Sequence, residues 1–366
     1  MSINFITHCL DRKSIGGVAR VTIDLANTLC EEKNIEVNLI SLGFIDELAY
    51  PVSPNINIKE LGLEKYSTSF YKGVSKLAWF YDSYKVLNQQ LKLKPSQDEI
   101  WIFTSPPLCI LASILKFKFN SSVFIGHEHT STHYSKGRLI DSTKFLLYKK
   151  LDTLIALTND DRKKHIELGL QSTFIPNYFD KSQVSLATNN NRKYVLYVGR
   201  FSSEKQPLIA LEIYFKSELY IIGIQFRMFG VGELEKDIIK YINDNDIQEY
   251  VEIFNEITDH DEIYKNAYAL ILTSRIEGFP MVLIEAISRN IPCIAFDIPS
   301  GPRSIIQNGN NGYLIDREDI GSFVNKLISR EILELQDIDI SYTVNKYNKN
   351  IILDKWLQLF KRLSSE

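Results

Sequence analysis

The sequence has 366 residues, 45% of them hydrophobic and 24% charged, a globular composition in a chain long enough for two domains. Its formal net charge of −3 excludes a general nucleic-acid binder. No apolar run reaches the ~18 residues that a membrane-spanning helix needs. No signal peptide is recognisable, and Cys9, Cys30, Cys109 and Cys293 fit no zinc or redox spacing. These features predict buried, reduced thiols in a cytoplasmic protein whose membrane contact, if any, is peripheral.

In the first half of the chain, short apolar runs alternate with helical patterns. The predicted strands are Ile3–Leu10, Val37–Leu42, Ile56–Leu61, Glu99–Thr104, Val123–Gly126 and Thr153–Leu157. The predicted helices are Val18–Cys30, Tyr66–Leu91, Leu108–Phe117 and Thr143–Leu151. Strands and helices that alternate at this spacing predict a parallel sheet covered on both faces.

A polar segment at 181–193, which contains Asn189-Asn190-Asn191, interrupts the pattern and is interpreted as a linker. Further strands are then predicted at Tyr194–Val198, Gln225–Phe229, Val251–Phe254, Ala269–Thr273 and Cys293–Phe296. Further helices are predicted at Gln206–Phe215, Glu233–Asn243, Pro280–Ser288, Ile320–Ser329 and Ile351–Leu363. The prediction is two doubly wound, Rossmann-like α/β domains, 1–180 and 194–350, that face each other across a cleft. The terminal helix of 351–366 is predicted to pack back towards the first domain.

The strongest functional pattern is a pair of glutamates eight positions apart, Glu277 and Glu285, with Gly278-Phe279-Pro280 after the first. Pro280 suits the first turn of a helix, and the free amides that follow would form an anion site for a diphosphate. Glu285 would lie about one and a half turns into that helix, within reach of ribose hydroxyls. Glu277, in the preceding loop, would reach a sugar. Taken alone, two acids at one spacing are more often a solvated loop acid and a helix-surface acid.

Three other segments follow predicted strands or precede predicted helices. Arg200 and Lys205 supply two cations beside a strand end, although such loop residues are often only solvated. The loop Gly16-Gly17 would let the backbone approach a ligand closely, but it does not match the dinucleotide fingerprint. Gly230 and Gly232 form a similar turn, for which a purely structural role stays open.

The run His127-Glu128-His129 follows the strand predicted at Val123–Gly126. Two histidines two positions apart are compatible with a metal, but no third ligand stands at a suitable spacing. A strand-end histidine would instead donate a hydrogen bond to a sugar hydroxyl, and the alternative is a packing histidine. Three Asp-x-Asp matches in polar connecting segments are interpreted as chance.

Residues 59–150 carry 14 basic and 7 acidic side chains. The first basic stretch holds Lys65, Lys72, Lys76, Lys85, Lys92 and Lys94, interleaved with Tyr71, Trp79, Phe80, Tyr81 and Tyr84. The second holds Lys136, Arg138, Lys144, Lys149 and Lys150, beside Phe145-Leu146-Leu147-Tyr148. Two interpretations stay open: core helices with solvated lysines, or a surface that docks on an anionic membrane.

The segment Ser274–Ala286 closely resembles the signature of the retaining glycosyltransferases of family 4, in which two glutamates flank seven residues and Gly-Phe-Pro follows the first. The resemblance continues through Ile291-Pro292 and residues 309–314. It implies the GT-B fold and transfer of a hexose or N-acetylhexosamine from a nucleotide sugar, most often a UDP-sugar. It also implies retention of configuration and no metal or other cofactor. The implied acceptor is a glycan or a lipid-linked saccharide of bacterial surface-polysaccharide synthesis, such as an O-antigen or capsule intermediate, met at the inner face of the cytoplasmic membrane.

The resemblance also implies roles for individual residues. Arg200 and Lys205 stabilise the leaving diphosphate, Glu285 holds the ribose, and Glu277 positions the sugar. His129, rather than His127, contacts the sugar from the first domain. The other implied donor-binding positions are Gly16, Gly17, Gly230, Gly232, Gly278, Phe279, Pro280, Met281 and Val282.

The chain departs from the family pattern at Asn255 and Asn290, each of which stands where glycine is usual. Both are expected at turns, where asparagine tolerates a positive φ. Two alternative functions stay open: a sugar-nucleotide epimerase of the same fold, and a non-catalytic nucleotide-sugar-binding scaffold. A nicotinamide dehydrogenase is the fourth and weakest candidate function, since the dinucleotide fingerprint is absent.

Overall fold

The computed structural model describes residues 1–12, 16–33, 35–93, 99–135, 137–181, 192–255 and 260–365. The chain forms two compact units, of which unit 1 comprises Met1–Asn177 and Ile352–Glu366, and unit 2 comprises Tyr178–Ile351. The end of the first domain was predicted at residue 180. Most of the predicted linker, residues 182–191, lies outside the described residues.

Unit 1 is built on a parallel sheet. Its described strands are β1 (Ser2–Thr7), β2 (Glu36–Ser41), β3 (Asn57–Glu60), β4 (Glu99–Phe103), β5 (Val123–His127), β6 (Thr153–Ala156) and β7 (Ser172–Phe174). They lie in the order β3-β2-β1-β4-β5-β6-β7, and every neighbouring pair is parallel. The helices between them are α1 (Gly17–Lys33), α2 (Lys76–Leu93), α3 (Pro106–Lys116), α4 (Arg138–Tyr148) and α5 (Asn159–Glu167).

Unit 2 repeats this plan with a smaller parallel sheet. Its described strands are β8 (Tyr194–Val198), β9 (Gln225–Phe229), β10 (Val251–Phe254), β11 (Ala267–Leu272), β12 (Cys293–Phe296) and β13 (Gly312–Ile315), in the order β10-β9-β8-β11-β12-β13. Its helices are α6 (Pro207–Ser217), α7 (Glu235–Asp244), α8 (His260–Tyr264), α9 (Met281–Ile287), α10 (Gly301–Ile305), α11 (Ile320–Leu327) and α12 (Arg330–Gln336). The last helix, α13 (Lys349–Leu363), begins in unit 2 and belongs to unit 1 from Ile352 onwards.

The predicted parallel α/β plan is confirmed, and the reason is visible in the strands. All six residues of β1 and of β11 are buried, because helices cover both faces of each sheet. The four cysteines are free and buried, and their burial was predicted.

Several predicted boundaries are wrong. The helix predicted over Tyr66–Leu91 begins only at Lys76, because Gly73 adopts a positive φ of 52° and two short 3₁₀ turns precede it. The strand β7 and the helix α5 were not predicted. The strand has only three residues, and the helix has the polar sequence NDDRKKHIE, so neither shows an apolar periodicity.

Pro280 does not lie in the first turn of a helix as predicted. It precedes α9 with an extended ψ of 97°, and the helix runs for only seven residues from Met281. Proline imposes the φ that a helix start requires, but the chain completes its turn one residue later.

The basic-aromatic stretches divide between core and surface. Trp79 is fully buried, and Tyr148 is buried with its hydroxyl on the Glu128 carboxylate. Lys144 approaches that carboxylate too, with its Nζ 3.6 Å from Oε2. Lys94 and Lys136 lie outside the described residues.

The order of strands locates the place in each unit where a ligand would bind. In unit 1, β1 has β2 on one side and β4 on the other, so the strand order reverses beside β1. In unit 2, β8 lies in the same way between β9 and β11. Such a switch point opens a crevice outside the carboxyl ends of the two strands, where ligands of this fold class bind.

Candidate active site

The switch point of unit 2 brings together a lysine and a glutamate that stand 72 residues apart. Lys205 follows β8 and Glu277 follows β11, and the Lys205 Nζ donates to Glu277 Oε1 at 2.6 Å. The Ser274 hydroxyl donates to the same oxygen at 2.7 Å. Glu277 is only 9% exposed, and these two donors offset the cost of burying its carboxylate. The site therefore holds a carboxylate whose position is set by two hydrogen bonds.

The loop that carries Lys205 is held by its backbone. Gln206 adopts a left-handed φ of 50°, which turns the chain sharply into α6. The Thr273 hydroxyl, at the end of β11, lies within hydrogen-bond distance of the Lys205 and Gln206 carbonyl oxygens, at 3.2 and 2.9 Å. These contacts tie the loop after β8 to the loop after β11.

Arg200 is held much less firmly than Lys205. Its guanidinium lies 3.6 Å from the Glu204 carboxylate, and both side chains are more than half exposed. An exposed pair of this kind contributes little to stability. Of the two predicted cations, only Lys205 therefore contacts the Glu277 carboxylate.

Glu285 is buried within α9 and accepts a hydrogen bond of 2.5 Å at Oε2 from the Tyr264 hydroxyl. Arg289, one turn further along, donates to the Glu285 carbonyl oxygen at 3.0 Å. It also donates from Nε and Nη2 to Asp261, and its guanidinium lies 4.9 Å from the Tyr264 ring centroid. Sequence reasoning missed Tyr264 and Arg289. The spacing of Arg289 four residues after Glu285 was the available signal.

Gly230 and Gly232 are required by backbone packing. A Cβ at Gly230 would lie 2.0 Å from the Gly199 carbonyl oxygen, and one at Gly232 would lie 2.4 Å from that of Phe201. The loop after β9 is thus pressed against the loop after β8, and the Phe201 amide donates to Val231 at 2.9 Å. This packing by itself accounts for both glycines.

The segment between Glu277 and α9 is also closely packed. The Phe279 ring is buried edge-on against Tyr347, with centroids 5.2 Å apart. A Cβ at Gly301 would lie 2.9 Å from Glu277 Cβ and 3.0 Å from Pro280 Cδ. Gly301, which sequence reasoning missed, therefore lets α10 approach the glutamate loop.

The residues predicted in unit 1 lie in separate places. Gly16 accepts a hydrogen bond from the Arg20 amide at 3.2 Å, and a Cβ at Gly17 would meet no atom within 4 Å. Packing therefore does not demand a glycine at 17, unlike at 230 and 232. Ser14 and Ile15, which precede them, lie outside the described residues.

A histidine that sequence reasoning missed occupies the switch point of unit 1. His8 follows β1, with its Nδ1 2.9 Å from the Tyr66 carbonyl oxygen and its Nε2 2.8 Å from the Ser105 hydroxyl, which follows β4. A carbonyl oxygen only accepts, so Nδ1 carries the proton. Burial lowers the pKa of His8, which favours this neutral form. His8 therefore ties the two strand ends together.

His127 and His129 lie at the end of β5, with ring centroids 4.2 Å apart. His127 is buried edge-on against Trp356 of α13, and neither of its ring nitrogens has a hydrogen-bond partner among the described residues. Burial lowers the pKa of His127 well below its ordinary value and that of His129 to about 4. In the part of the chain that the structure describes, no cluster of three metal-ligating acids, histidines or cysteines occurs. Burial therefore favours the neutral form of both rings.

The loop after His129 is held by one buried carboxylate. Asp161 accepts from the Thr132 amide at 2.8 Å, from the Ser131 hydroxyl at 3.2 Å and from the Thr158 hydroxyl at 2.6 Å. The Thr132 hydroxyl in turn lies 3.0 Å from His165 Nε2. Asp161 thus determines where the chain leaves β5.

Comparisons with known proteins agree with this architecture. Residues 179–348 match the model of a family described as glycosyl transferases group 1. The chain is 27% identical, over 93% of its length and 95% of the relative's, to the amylovoran biosynthesis glycosyltransferase AmsD of Erwinia amylovora. A second relative, from Campylobacter jejuni, is 23% identical over 89% of this chain and 88% of its own. Its name describes an N-acetyl-D-galactosaminyltransferase that acts on a saccharide linked to diphospho-undecaprenol.

A solved structure shares the fold across the whole chain. It is the pneumococcal O-GlcNAc transferase GtfA in complex with UDP and GlcNAc, with a TM-score of 0.81, 14% identity and coverage of 100% of this chain and 99% of that one. Two parallel α/β units with these strand orders have the GT-B fold of glycosyltransferases. Residues 179–348 match the group 1 glycosyl transferase model, and the relatives that match most of the chain are glycosyltransferases, so the predicted class of enzyme is confirmed.

Among the described residues, no helix has both the length and the apolar character needed to cross a bilayer.

Proposed function

We propose that the enzyme transfers a hexose or N-acetylhexosamine from a UDP-sugar to a glycan acceptor, with retention of configuration and without a metal. The observation that carries the proposal is the Lys205–Glu277 pair at the switch point of unit 2, with the buried Glu285 on the helix that follows. A preorganised cation beside a preorganised carboxylate suits a reaction in which a diphosphate leaves and a sugar must be oriented.

The roles follow from chemistry and position. Lys205 and the exposed Arg200 would bind the diphosphate, and Glu285 would accept hydrogen bonds from the ribose. Glu277 would accept from sugar hydroxyls, and the backbone from Gly278 to Val282, which includes the Phe279 and Met281 amides, would line the donor site. Two charge-assisted contacts would then stabilise the leaving group as the glycosidic bond breaks.

His129 remains our candidate for a contact between unit 1 and the donor sugar. Its Nε2 is buried without a hydrogen-bond partner among the described residues, and a neutral imidazole can donate to or accept from a hydroxyl. The backbone at Gly16 and Gly17 is proposed to approach the donor too, since at Gly17 packing leaves open space.

Two features support the substrates. The solved structure that shares this fold is described with UDP and GlcNAc, which supports a uridine nucleotide as the carrier. The Campylobacter jejuni relative is named for an acceptor linked to diphospho-undecaprenol, which supports a lipid-linked saccharide of surface-polysaccharide synthesis.

The donor proposal is tested by thermal shift against UDP-, GDP-, ADP- and CMP-sugars. A ligand at 100 times its dissociation constant stabilises a protein by about 2.7 kcal/mol, so one sugar nucleotide should raise the melting temperature clearly. Glu285→Ala should abolish that shift, whereas Glu204→Ala, beside the exposed Arg200, should keep it. If no nucleotide or nucleotide sugar shifts the melting temperature, a non-catalytic scaffold is favoured instead.

Retention and metal independence are tested on the same donor. The anomeric configuration of the product, read by NMR, should match that of the donor sugar. Turnover should persist in excess EDTA, because Lys205 and Arg200 would supply the charge that a metal would otherwise provide. Turnover that EDTA stops and a divalent cation restores would refute the metal-free mechanism.

We also propose that unit 1 contacts an anionic membrane from the cytoplasmic side. Helix α3 packs against both α2 and α4, and apolar side chains are exposed along this layer. They are Val74 (81% exposed), Leu77, Tyr81, Phe117, Leu139 (82% exposed), Ile140 and Leu146. Lysines border them, and Lys150 Nζ lies 5.0 Å from the Phe117 ring centroid. Exposed apolar groups among cations match a membrane interface, where nucleotide sugars and lipid-linked acceptors meet.

Co-sedimentation with vesicles tests this contact. Binding should require phosphatidylglycerol and should fall several-fold for Leu77→Asp combined with Leu139→Asp. Ile221→Asp is the matched control, since Ile221 is an exposed apolar residue of unit 2. Equal binding to neutral and anionic vesicles would count against the proposal.

A further inference from the structure

Unit 1 carries a groove of about 520 Å³ at the edge of its sheet, lined by β7, α5 and α13. The strand β7 is the last in the order of the sheet, so only one of its sides pairs with β6. Lys205, Glu277 and Glu285, the charged residues proposed to bind the donor, belong to unit 2 instead. A volume of this size accommodates a small ligand.

Three cations line the groove from two helices: Arg162 on α5, and Lys355 and Arg362 on α13. No carboxylate is among the lining residues. In the described part of the chain none of the three makes an ion pair, although Lys163 and Lys164 of α5 each lie close to an acid on the same helix. Three cations without a carboxylate give the groove a positive charge, which attracts an anion.

The surroundings orient two of these cations. Lys355 Nζ lies 4.8 Å from the centroid of the Phe174 ring, and Arg362 Nη2 donates to the Thr173 hydroxyl at 3.2 Å. Burial lowers the pKa of Lys355, and no charged partner offsets that effect. Both cations are therefore partly ordered and incompletely neutralised.

Two further lining residues differ in exposure. Gln358 is exposed and its amide can donate, whereas Leu359 is buried. Guanidinium groups bind phosphate oxygens through two parallel hydrogen bonds, and a lysine adds a point charge. Three cations and an amide donor match the charge of a diphosphate or a phosphate monoester better than that of a carboxylate.

We propose that this groove is a second anion site, which binds a phosphate- or diphosphate-bearing ligand through Arg162, Lys355 and Arg362. The phosphate can come from a soluble compound or from the headgroup of a lipid. The chemistry of the contacts is the same for both, and the experiment separates the two sources.

The test uses the full chain with inorganic pyrophosphate as the probe and the ¹³C-methyl resonances of Leu359 as the readout. A local readout is needed because pyrophosphate is expected to occupy the donor site as well. The Leu359 resonances should shift saturably, and the apparent dissociation constant should rise with ionic strength. Lys355→Met combined with Arg362→Gln should weaken this binding at least about tenfold, because two charge-assisted contacts are lost.

Lys361→Gln is the matched control, because Lys361 is exposed on the same helix but does not line the groove. Arg162→Gln is a second variant that leaves α13 intact, and it should also weaken binding. Vesicles that contain phosphatidic acid form the lipid arm, with phosphatidylcholine vesicles as the blank.

A Leu359 shift with pyrophosphate that the groove variants weaken and Lys361→Gln does not would support a site for soluble phosphates. No such shift, but phosphatidic acid binding that the same variants reduce, would support a lipid headgroup. If neither ligand responds to the groove variants, or if Lys361→Gln weakens binding as much as they do, the proposal is overturned.

Discussion

Unit 1 and unit 2 share a doubly wound plan, but the candidate site residues at their strand ends differ in charge. In unit 2 the acids Glu277 and Glu285 are buried with short hydrogen bonds from Lys205, Ser274 and Tyr264. In unit 1 the His127 ring is buried, the His129 ring is partly buried, and burial lowers the pKa of both. The candidate side chains are thus a paired charge in unit 2 and neutral rings in unit 1.

The comparison shows that in unit 2 the residues proposed for the reaction also contribute to stability. Burying a carboxylate without hydrogen-bond donors costs free energy of folding. The hydrogen bonds that would orient the sugar nucleotide therefore also stabilise unit 2. A buried neutral histidine costs less and remains available for a hydroxyl. We therefore expect substitutions in unit 1 and in unit 2 to change different measured properties.

The largest effect is expected for Glu277→Gln. The side chain keeps its size but loses the charge that Lys205 faces, and kcat/KM should fall by roughly 10²–10³-fold, the scale of losing one preorganised transition-state contact. The kcat/KM value is measured from the release of nucleoside diphosphate, with the sugar nucleotide that the thermal-shift assay identifies as the substrate. The control Glu204→Gln, on the exposed pair, should change kcat/KM by less than about threefold. Equal losses in both variants would remove the distinction between the paired and the exposed cation.

The second effect compares glycines. Gly230→Ala should lower the free energy of unfolding by about 2–4 kcal/mol, because its Cβ would overlap the Gly199 carbonyl oxygen. Gly17→Ala, at the open first position of α1, should change it by less than about 1 kcal/mol and in the stabilising direction. Urea titrations measure both. A Gly17→Ala enzyme that is stable but impaired would point to a ligand near this backbone, whereas a stable Gly230→Ala would contradict the packing argument.

The third effect is a pH dependence that belongs to unit 1. Burial lowers the pKa of His129 and of His165 to about 4, so the folded chain resists protons that the unfolded chain binds near pH 6.5. Their contribution to stability is present above pH 6.5 and is lost as the pH falls towards 4. Between pH 7 and pH 5 each should account for at most about 2 kcal/mol of lost stability.

Urea titrations at the two pH values test this. His129→Gln and His165→Gln should each flatten the pH dependence, and the exposed His133→Gln is the control. If all three variants show the slope of the wild type, the buried histidines do not set the acid sensitivity.

The smallest effect is expected for Tyr264→Phe. It removes one hydrogen bond to the Glu285 carboxylate, which is worth about 1 kcal/mol, so the donor dissociation constant should rise about fivefold. Tyr342→Phe, on an exposed ring, should leave the constant unchanged. Calorimetric titration resolves the difference, and an unaltered constant for Tyr264→Phe would show that Glu285 is oriented without this tyrosine.

Much of the site was predictable because it follows strand ends. The apolar runs located β8 and β11, and the loops after them carry Lys205 and Glu277. The substitution of glycine by Asn290 was explained correctly, since that residue adopts a positive φ of 60°. Asn255 is not among the residues with positive φ, and its amide donates to Glu235 instead.

The sequence by itself determined the elements that depend on local spacing: the parallel strands, the Glu277–Glu285 interval and the burial of the cysteines. Only the tertiary structure decided which groups meet across the chain, such as His8 with Ser105, Tyr264 with Glu285 and Gly301 with Glu277. Periodicity records which face of an element is buried, but a hydrogen bond between two elements depends on their neighbours in the sheet. The groove cations of α5 and α13, nearly 200 residues apart in sequence, converge for the same reason.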